Sequence, residues 1–188
     1  MGRQYESLTD GVREWIARQP VFFVATAPSG EGGHVNLSPK GLDTFRVLGS
    51  STVAYLDLTG SGAETIAHIR QNGRITFMFC AFEGPPRILR LFGAGEAVHP
   101  GDPEWDERAG RVPALPGRSA VFRAHLDRIA DSCGYAVPEM ALVGPRQRLV
   151  DWAVKQGEDG LVEYRATKNV ESIDGLPAID APTHDRTG

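Results

Sequence analysis

Apolar residues in the first hundred positions come mostly in short runs that glycine, proline and polar residues separate. Such runs are typical of β-strands, whereas helices are predicted where apolar residues recur every three or four positions. The predicted strands are residues 21–27, 34–37, 45–48, 52–58, 74–81 and 87–98, with a short late strand at Leu161–Tyr164. The predicted helices are residues 8–18, 63–71 and 145–155, with one further turn at Asp102–Arg108.

Residues 119–130 fit two interpretations. Phe122, Leu126, Ile129 and Cys133 recur at helical spacing, which favours a helix, but the same segment would also make a half-buried strand.

Local signals mark where the elements begin, end or bend. Ser61 and Glu64 have the spacing of a capping box, and Gly73 is typical of the end of the helix that follows them. The Pro39–Gly41 segment is expected to end the second strand. Gly93, inside a predicted strand, indicates a bulge, a bend or the close approach of a ligand.

Length and composition predict a single domain over residues 1–188, with a core at about 20–135 and a C-terminal helix and tail at about 144–188. The chain is 41% hydrophobic and has a net charge of −4 with no basic run, which argues against nucleic acid as a partner. It starts without a secretory signal and has no apolar run long enough to span a membrane, so a cytoplasmic location is expected.

Familiar catalytic and metal-binding motifs are missing from the sequence. The five histidines lack metal-ligand spacing, and the two cysteines are too few and too distant for a zinc site or a disulfide scaffold. Cys133 is either a reactive thiol or a small buried residue. Because spacing assigns no nucleophile–base pair, any chemistry is expected to belong to a bound cofactor.

Two polar turns could bind an anion. The Ser38–Gly41 turn offers a hydroxyl, an ammonium and a glycine N–H, although it could equally be an exposed turn. The Ser61–Thr65 turn opens a helix, whose free N–H groups favour an anion, although Ser61 and Glu64 could cap the helix themselves. Arginines on otherwise apolar strands must face solvent, an ion-pair partner or a ligand; they are Arg74, Arg87 and Arg90.

With these residues the chain resembles the pyridoxamine 5′-phosphate oxidase-related family of flavin-binding split barrels. The likeness is strongest across Phe22–Glu96, in the run that contains Tyr55, Ser61, residues 67–69, Asn72 and Arg74–Phe79. It continues through residues 131–138, 164–169 and 172–177, which resemble a subgroup labelled only as oxidase-related. The resemblance favours the strand interpretation of residues 119–130.

The resemblance implies a mainly β fold, a six-stranded antiparallel split barrel of the FMN-binding type with peripheral helices. It also implies a homodimer with FMN at the dimer interface. Asn36, Ser38 and Lys40, with Gly41 after them, would line the flavin, and Val53 and Tyr55 would contact its ring or ribityl chain. Ser61, Gly62 and Thr65 would bind the phosphate, and Arg90 could reach the isoalloxazine ring.

Two departures from the family pattern bear on activity. Oxidases proper have an Arg-Lys pair where Glu64-Thr65 stand here, and an anion in that position repels a phosphate. Lys40 could compensate from the opposite turn. The oxidases' C-terminal Arg-x-His motif has no counterpart, so vitamin B6 oxidation itself is not expected.

The function expected from the resemblance is an FMN-dependent oxidoreductase that transfers hydride to or from a small organic molecule. Two alternatives are a reductase that uses the reduced deazaflavin coenzyme and a non-catalytic split-barrel protein that holds flavin, haem or no ligand. No metal site is expected.

Overall fold

The computed structural model describes residues 2–60 and 62–180. Its strands are β1 (Gln4–Tyr5), β2 (Phe22–Thr26), β3 (Asn36–Lys40), β4 (Phe45–Val47), β5 (Thr52–Leu58), β6 (Arg74–Cys80), β7 (Ile88–Val98) and β8 (Arg118–Ser132). Its helices are α1 (Asp10–Ala17), α2 (Glu64–Asn72), α3 (Trp105–Ala109) and α4 (Arg148–Lys168).

All strand pairs are antiparallel and belong to one sheet, in the order β3-β2-β6-β7-β8-β5-β4. The short β1 adds to the free part of β8. The sheet curls so that side chains of β3 and β5 meet across the opening, which is the antiparallel split-barrel arrangement expected from the sequence. The described residues contain eight strands rather than six; β1, only two residues long, is too short for an alternation pattern.

The inner face of the curled sheet encloses the main hydrophobic core. Alternate residues of the strands point inward because successive strand side chains lie on opposite faces. Five of these inward residues are each at most 3% exposed: Phe22, Val24, Phe77, Leu89 and Leu91. Buried apolar residues of α1 and α2 pack against the same core. A smaller second cluster lies on the other face of β5 and β8, where α3 is located.

Residues 119–130 are a strand, as the resemblance indicated, and residues 121–125 pair with both β5 and β7. The alternation of exposed and buried residues from Arg123 to Leu126 explains why a helical reading was wrong there.

Three predictions about element limits were wrong. Leu161–Tyr164 lies in α4 and not in a strand: Gly157, with φ 68° and ψ 173°, interrupts α4, and Leu161 is buried in the helical segment that follows it. Pro145 precedes α4, which begins at Arg148. The strand β3 continues through Pro39 to Lys40, since β3 is an edge strand and its proline can face away from the ladder.

Gly93 marks a bulge, as predicted. The register between β7 and β8 shifts between Phe92 and Gly93. A Cβ atom added at Gly93 would lie 2.1 Å from the carbonyl oxygen of His125, so the two backbones approach too closely for any side chain. Gly73 ends α2 with φ 71°, also as predicted.

Across the described ranges, no helix is both long and apolar enough to cross a membrane. The same ranges contain no group of three His, Cys, Asp or Glu side chains placed to hold a metal ion.

Candidate functional site

Asn36 is the centre of a hydrogen-bond network on the inner face of the sheet. It lies opposite Thr26 in the register of β2 and β3, so the two side chains share that face. Its Nδ2 donates to Thr65 Oγ1 at 3.0 Å and to Thr26 Oγ1 at 3.2 Å. Its Oδ1 accepts a hydrogen bond from Ser38 Oγ at 2.9 Å. Both amide protons are therefore used within the protein.

His68 extends this network into α2. The residue is fully buried, and its Nδ1 lies 2.9 Å from Thr26 Oγ1. The tautomer of His68 decides whether Nδ1 donates or accepts in this hydrogen bond, and Nε2 is buried without a partner among the described residues. Burial lowers the pKa of His68, against the opposing effect of the Asp174 and Glu64 carboxylates.

Tyr55 carries the most deeply buried hydroxyl of the region. Its ring stacks on Phe122 with centroids 4.9 Å apart, and its hydroxyl has no hydrogen-bond partner among the described residues. Burial first, and the Asp57 carboxylate second, raise the pKa of Tyr55 well above its ordinary range, although the nearby Thr65 hydroxyl lowers it. Tyr55 is thus a neutral core residue and not an accessible base.

Lys40 does not present a free charge. Its Nζ lies 2.5 Å from Asp57 Oδ1, and the two side chains are 26% and 13% exposed. Asp57 Oδ2 also accepts a hydrogen bond from Ser119 Oγ at 3.3 Å. The ammonium that the sequence offered to a phosphate is therefore already neutralised by Asp57 of β5, across the opening of the barrel.

The Glu64 carboxylate at the start of α2 is held by backbone N–H groups of the chain itself. Glu64 Oε2 accepts a hydrogen bond from the Ala63 N–H at 3.1 Å, and Oε1 accepts one from the Ile173 N–H at 3.3 Å. Ala63 is the N-cap and Glu64 is the first helical residue, so the capping box predicted from the spacing of Ser61 and Glu64 was wrong. The predicted phosphate role of Ser61 lies outside the described residues.

Hydrogen bonds from the C-terminal part of the chain, residues 165–174, hold the turn after β5 and the loop before β3, and sequence reasoning missed these bonds. Arg165 Nη1 donates to Thr59 Oγ1 at 2.9 Å, and Asn169 Nδ2 donates to the Gly60 carbonyl at 2.9 Å. Asp174 accepts hydrogen bonds from the backbone and the ring of His34, and these bonds lower the pKa of its carboxyl group. The likeness at residues 164–177 was the one sequence signal that could have pointed to them.

The outer face of the sheet is apolar and only partly covered. One row across four strands and into β8 consists of Pro39, Phe23, Met78, Arg90 and Ala130, and the next consists of Leu37, Ala25, Thr76, Phe92 and Arg128. We call these residues the outer-face rows. Leu37 is 61% exposed, and Phe23, Met78 and Phe92 are half-buried.

Arg90 lies in the middle of the outer-face rows. Leu89 and Leu91 on either side of it are fully buried on the inner face, so alternation directs Arg90 outward. Its Nη1 donates to Ser132 Oγ at 3.1 Å, which leaves other guanidinium N–H groups available.

The structure therefore divides the predicted flavin residues between two faces. Asn36, Ser38, Lys40, Tyr55 and Thr65 meet on the inner face, and Val53 is buried in the core there. Gly41 and Gly62 lie in the turns that follow β3 and precede α2. Arg90 stands apart from all of them on the outer face.

Comparison with known proteins identifies the family. The family model described as pyridoxamine 5′-phosphate oxidase matches residues 8–133. The chain belongs to the pyridoxamine 5′-phosphate oxidase family. The family protein ustO of Aspergillus flavus is 43% identical in an alignment of 201 positions that covers 97% of this chain and 80% of ustO.

Solved structures agree with this family's fold. HupZ of Group A Streptococcus superposes with a TM-score of 0.52 at 24% identity, over 66% of this chain and 99% of HupZ. A Lactobacillus delbrueckii protein assigned to the pyridoxamine 5′-phosphate oxidases gives a TM-score of 0.51 at 16% identity, over 68% and 98% of the two chains. At these identities the two structures support the split-barrel fold alone.

Proposed function

We propose that this member of the pyridoxamine 5′-phosphate oxidase family binds FMN between two copies of the chain and acts as an oxidoreductase on a small organic molecule. The observation that carries the proposal is the set of outer-face rows, an apolar sheet face with Arg90 in its middle. An apolar face of this kind favours both a second protein surface and a planar aromatic ligand.

A flavin ring fits the outer-face rows. Adjacent strands lie about 4.8 Å apart, so a row of side chains that crosses several strands is long enough to contact the whole of a flavin ring. Phe23, Met78 and Phe92 supply apolar and aromatic contacts, and Arg90 supplies charged donors for the polar edge of a ring. Their side chains would hold the cofactor and exclude water from it.

The phosphate of FMN does not fit the inner-face residues that the sequence suggested. Asn36 and Thr65 are bonded to each other, Lys40 is paired with Asp57, and Glu64 brings negative charge to the start of α2. A phosphate site must therefore use other residues of the same region.

A second copy of the chain would complete the site. Leu37, at the end of one of the outer-face rows on the edge strand β3, is 61% exposed. Val35, in the loop just before β3, is 73% exposed. Burying such residues against a partner stabilises by about 25 cal/mol for each Å² of apolar surface. A homodimer through this face would cover the edge of the sheet and enclose the ring.

The flavin, when bound, would supply the hydride chemistry. The chain's own residues would orient it: Arg90 would donate hydrogen bonds, and the half-buried apolar residues would keep solvent away. Tyr55 and His68 are fully buried in the network, so they would fix neighbouring side chains and not exchange protons with a substrate.

A non-catalytic binding protein is the second candidate, and Glu64 is the observation that favours it. Its carboxylate occupies the position where oxidases proper carry cations, which disfavours the tight phosphate anchoring of a resident coenzyme. Such a protein would hold a flavin or haem without turning over a substrate.

Titration of FMN into the purified chain tests the proposal. Quenching of flavin fluorescence should saturate, and Arg90→Met should weaken binding about tenfold, the usual effect of losing a charged hydrogen bond. Arg146→Met, on an exposed segment, is the matched control and should bind FMN normally. Absence of saturable binding would overturn the proposal, and binding without reduction of the flavin by any organic donor would favour the second candidate.

A further inference from the structure

The loop before α2 is held by side chains from α4. Thr59 is 2% exposed and accepts a hydrogen bond from Arg165 Nη1, while the Gly60 carbonyl accepts one from Asn169. Asn169 is itself 3% exposed. The first bond places the Arg165 guanidinium beside the turn that leads from β5 into α2, and the second ties the end of α4 to the same turn.

Arg165 is a cation without a carboxylate partner among the described residues. The salt bridges of the described chain neutralise other arginines, for example Arg108 and Arg123 by Glu96 and Arg111 by Glu107. Arg165 makes its hydrogen bond to a neutral hydroxyl instead. Burial lowers the pKa of its guanidinium, an effect that the charge of Glu158 opposes.

A partly buried cation of this kind is costly unless an anion accompanies it. Removing a guanidinium from water weakens its solvation, and only a nearby negative group restores the loss. Only one of the guanidinium's five donors bonds to Thr59, which leaves a planar pair of N–H groups suited to a phosphate.

The other cation near this region is already neutralised. Lys40 is paired with Asp57, and the Glu64 carboxylate is held by the Ala63 and Ile173 N–H groups and so is turned toward its own chain. Neither Lys40 nor Glu64 therefore competes with Arg165 for a ligand at this turn.

We propose that Arg165 binds the phosphate of the flavin, replacing from α4 the Arg-Lys pair that oxidases proper place at the start of the preceding helix. The inference rests on the proposed flavin function. It assigns the phosphate to a residue outside the part of the chain that the family model matches, residues 8–133. Thr59 is the positioning residue for this guanidinium.

Comparison of FMN with riboflavin tests Arg165, because the two ligands share the ring and differ in the phosphate. The full chain should bind FMN about tenfold or more tightly than riboflavin, the gain that a charge-assisted hydrogen bond gives. Arg165→Met should bring the two dissociation constants together, chiefly by weakening FMN. Arg165→Lys should keep part of the preference.

Arg148→Met is the matched control, since Arg148 is an exposed arginine at the start of the same helix. It should retain the full preference for FMN. Thermal unfolding of each variant shows whether it is folded, and riboflavin binding by Arg165→Met shows that its ring site is intact.

The outcomes separate the two proposals. If Arg165→Met keeps the preference for FMN, or if the unaltered chain binds riboflavin as tightly as FMN, the role of Arg165 is overturned while flavin binding stands. If the unaltered chain binds neither flavin, both proposals are overturned.

Discussion

Lys40 and Asp57 form an ion pair, 2.5 Å from Nζ to Oδ1, that joins the edge strand β3 to β5 near the opposite edge of the sheet. The pair crosses the opening of the split barrel, where no backbone ladder holds the two strands together. Its position explains how a lysine that the sequence offered to a ligand instead serves the fold.

Lys40→Met is therefore expected to act on stability. It leaves Asp57 partly buried without its cation and should lower the free energy of unfolding by about 1–3 kcal/mol. Adding Asp57→Asn should cost less than the sum of the two single changes. Urea denaturation measures both, and Arg46→Met, which removes an exposed ion pair with Asp43, should change stability by less than about 1 kcal/mol. Additive effects would show that the pair contributes nothing.

Asn36→Ala should lower the free energy of unfolding more than is usual for a residue that is only half-buried. The change removes the partner of Thr26, Thr65 and Ser38 at once, and we expect a loss of about 2–4 kcal/mol. Equilibrium unfolding in the Thr65→Val background provides the test, since Asn36→Ala should cost less there. Equal costs in both backgrounds would mean that the two residues are not coupled.

His68 should make stability depend on pH. Burial lowers its folded-state pKa below the unfolded value of about 6.5, so the unfolded chain binds the proton more readily. This contribution is fully present above that value and is lost as pH falls from it toward the lowered folded pKa. His68→Gln should therefore flatten the decline in unfolding free energy between about pH 7.5 and 5.5. Parallel curves for the two proteins would rule this out.

Gly93→Ala should destabilise the barrel at its bulge. The added methyl group would lie 2.1 Å from the His125 carbonyl oxygen, so β7 and β8 would have to separate, at a cost of about 2–3 kcal/mol. Gly11→Ala, on α1 with nothing within 4 Å, is the control and should stabilise by about 0.5–1 kcal/mol. Similar melting temperatures for the two variants would contradict the close approach at Gly93.

The sequence predicted the parts of this fold that local pattern decides. A short run of β-branched and aromatic residues predicted strand β5, and single glycines predicted the bulge at Gly93 and the end of α2 at Gly73. Alternation could also have directed Arg90 outward, because Leu89 and Leu91 flank it.

Contacts between distant positions were beyond local reasoning. Arg165 contacts Thr59 across 106 positions, and Asn169 contacts Gly60 across 109. No spacing rule predicts such pairs, because they depend on where α4 packs after the barrel has formed. The neutralisation of Lys40 by Asp57 likewise depends on how the sheet curls.

Leu37→Asp should separate the proposed dimer without unfolding the chain. Leu37 is 61% exposed on the edge strand, so a carboxylate there is tolerated in a single chain but would be buried in an interface. Leu142→Asp is the control, because Leu142 is 62% exposed in the segment between β8 and α4, outside the strands. Size-exclusion chromatography with light scattering should give a monomer for the first variant and a dimer for the second; two dimers would place any interface elsewhere.

The central claim is that one flavin site is shared between two copies of the chain. Sedimentation velocity of the FMN-loaded protein, recorded in the visible absorption band of the flavin, tests it most directly. The account predicts that bound flavin sediments with the mass of a dimer, with little at the mass of a single chain. Flavin that sediments with a monomer, or that remains free while the protein sediments, would contradict the claim.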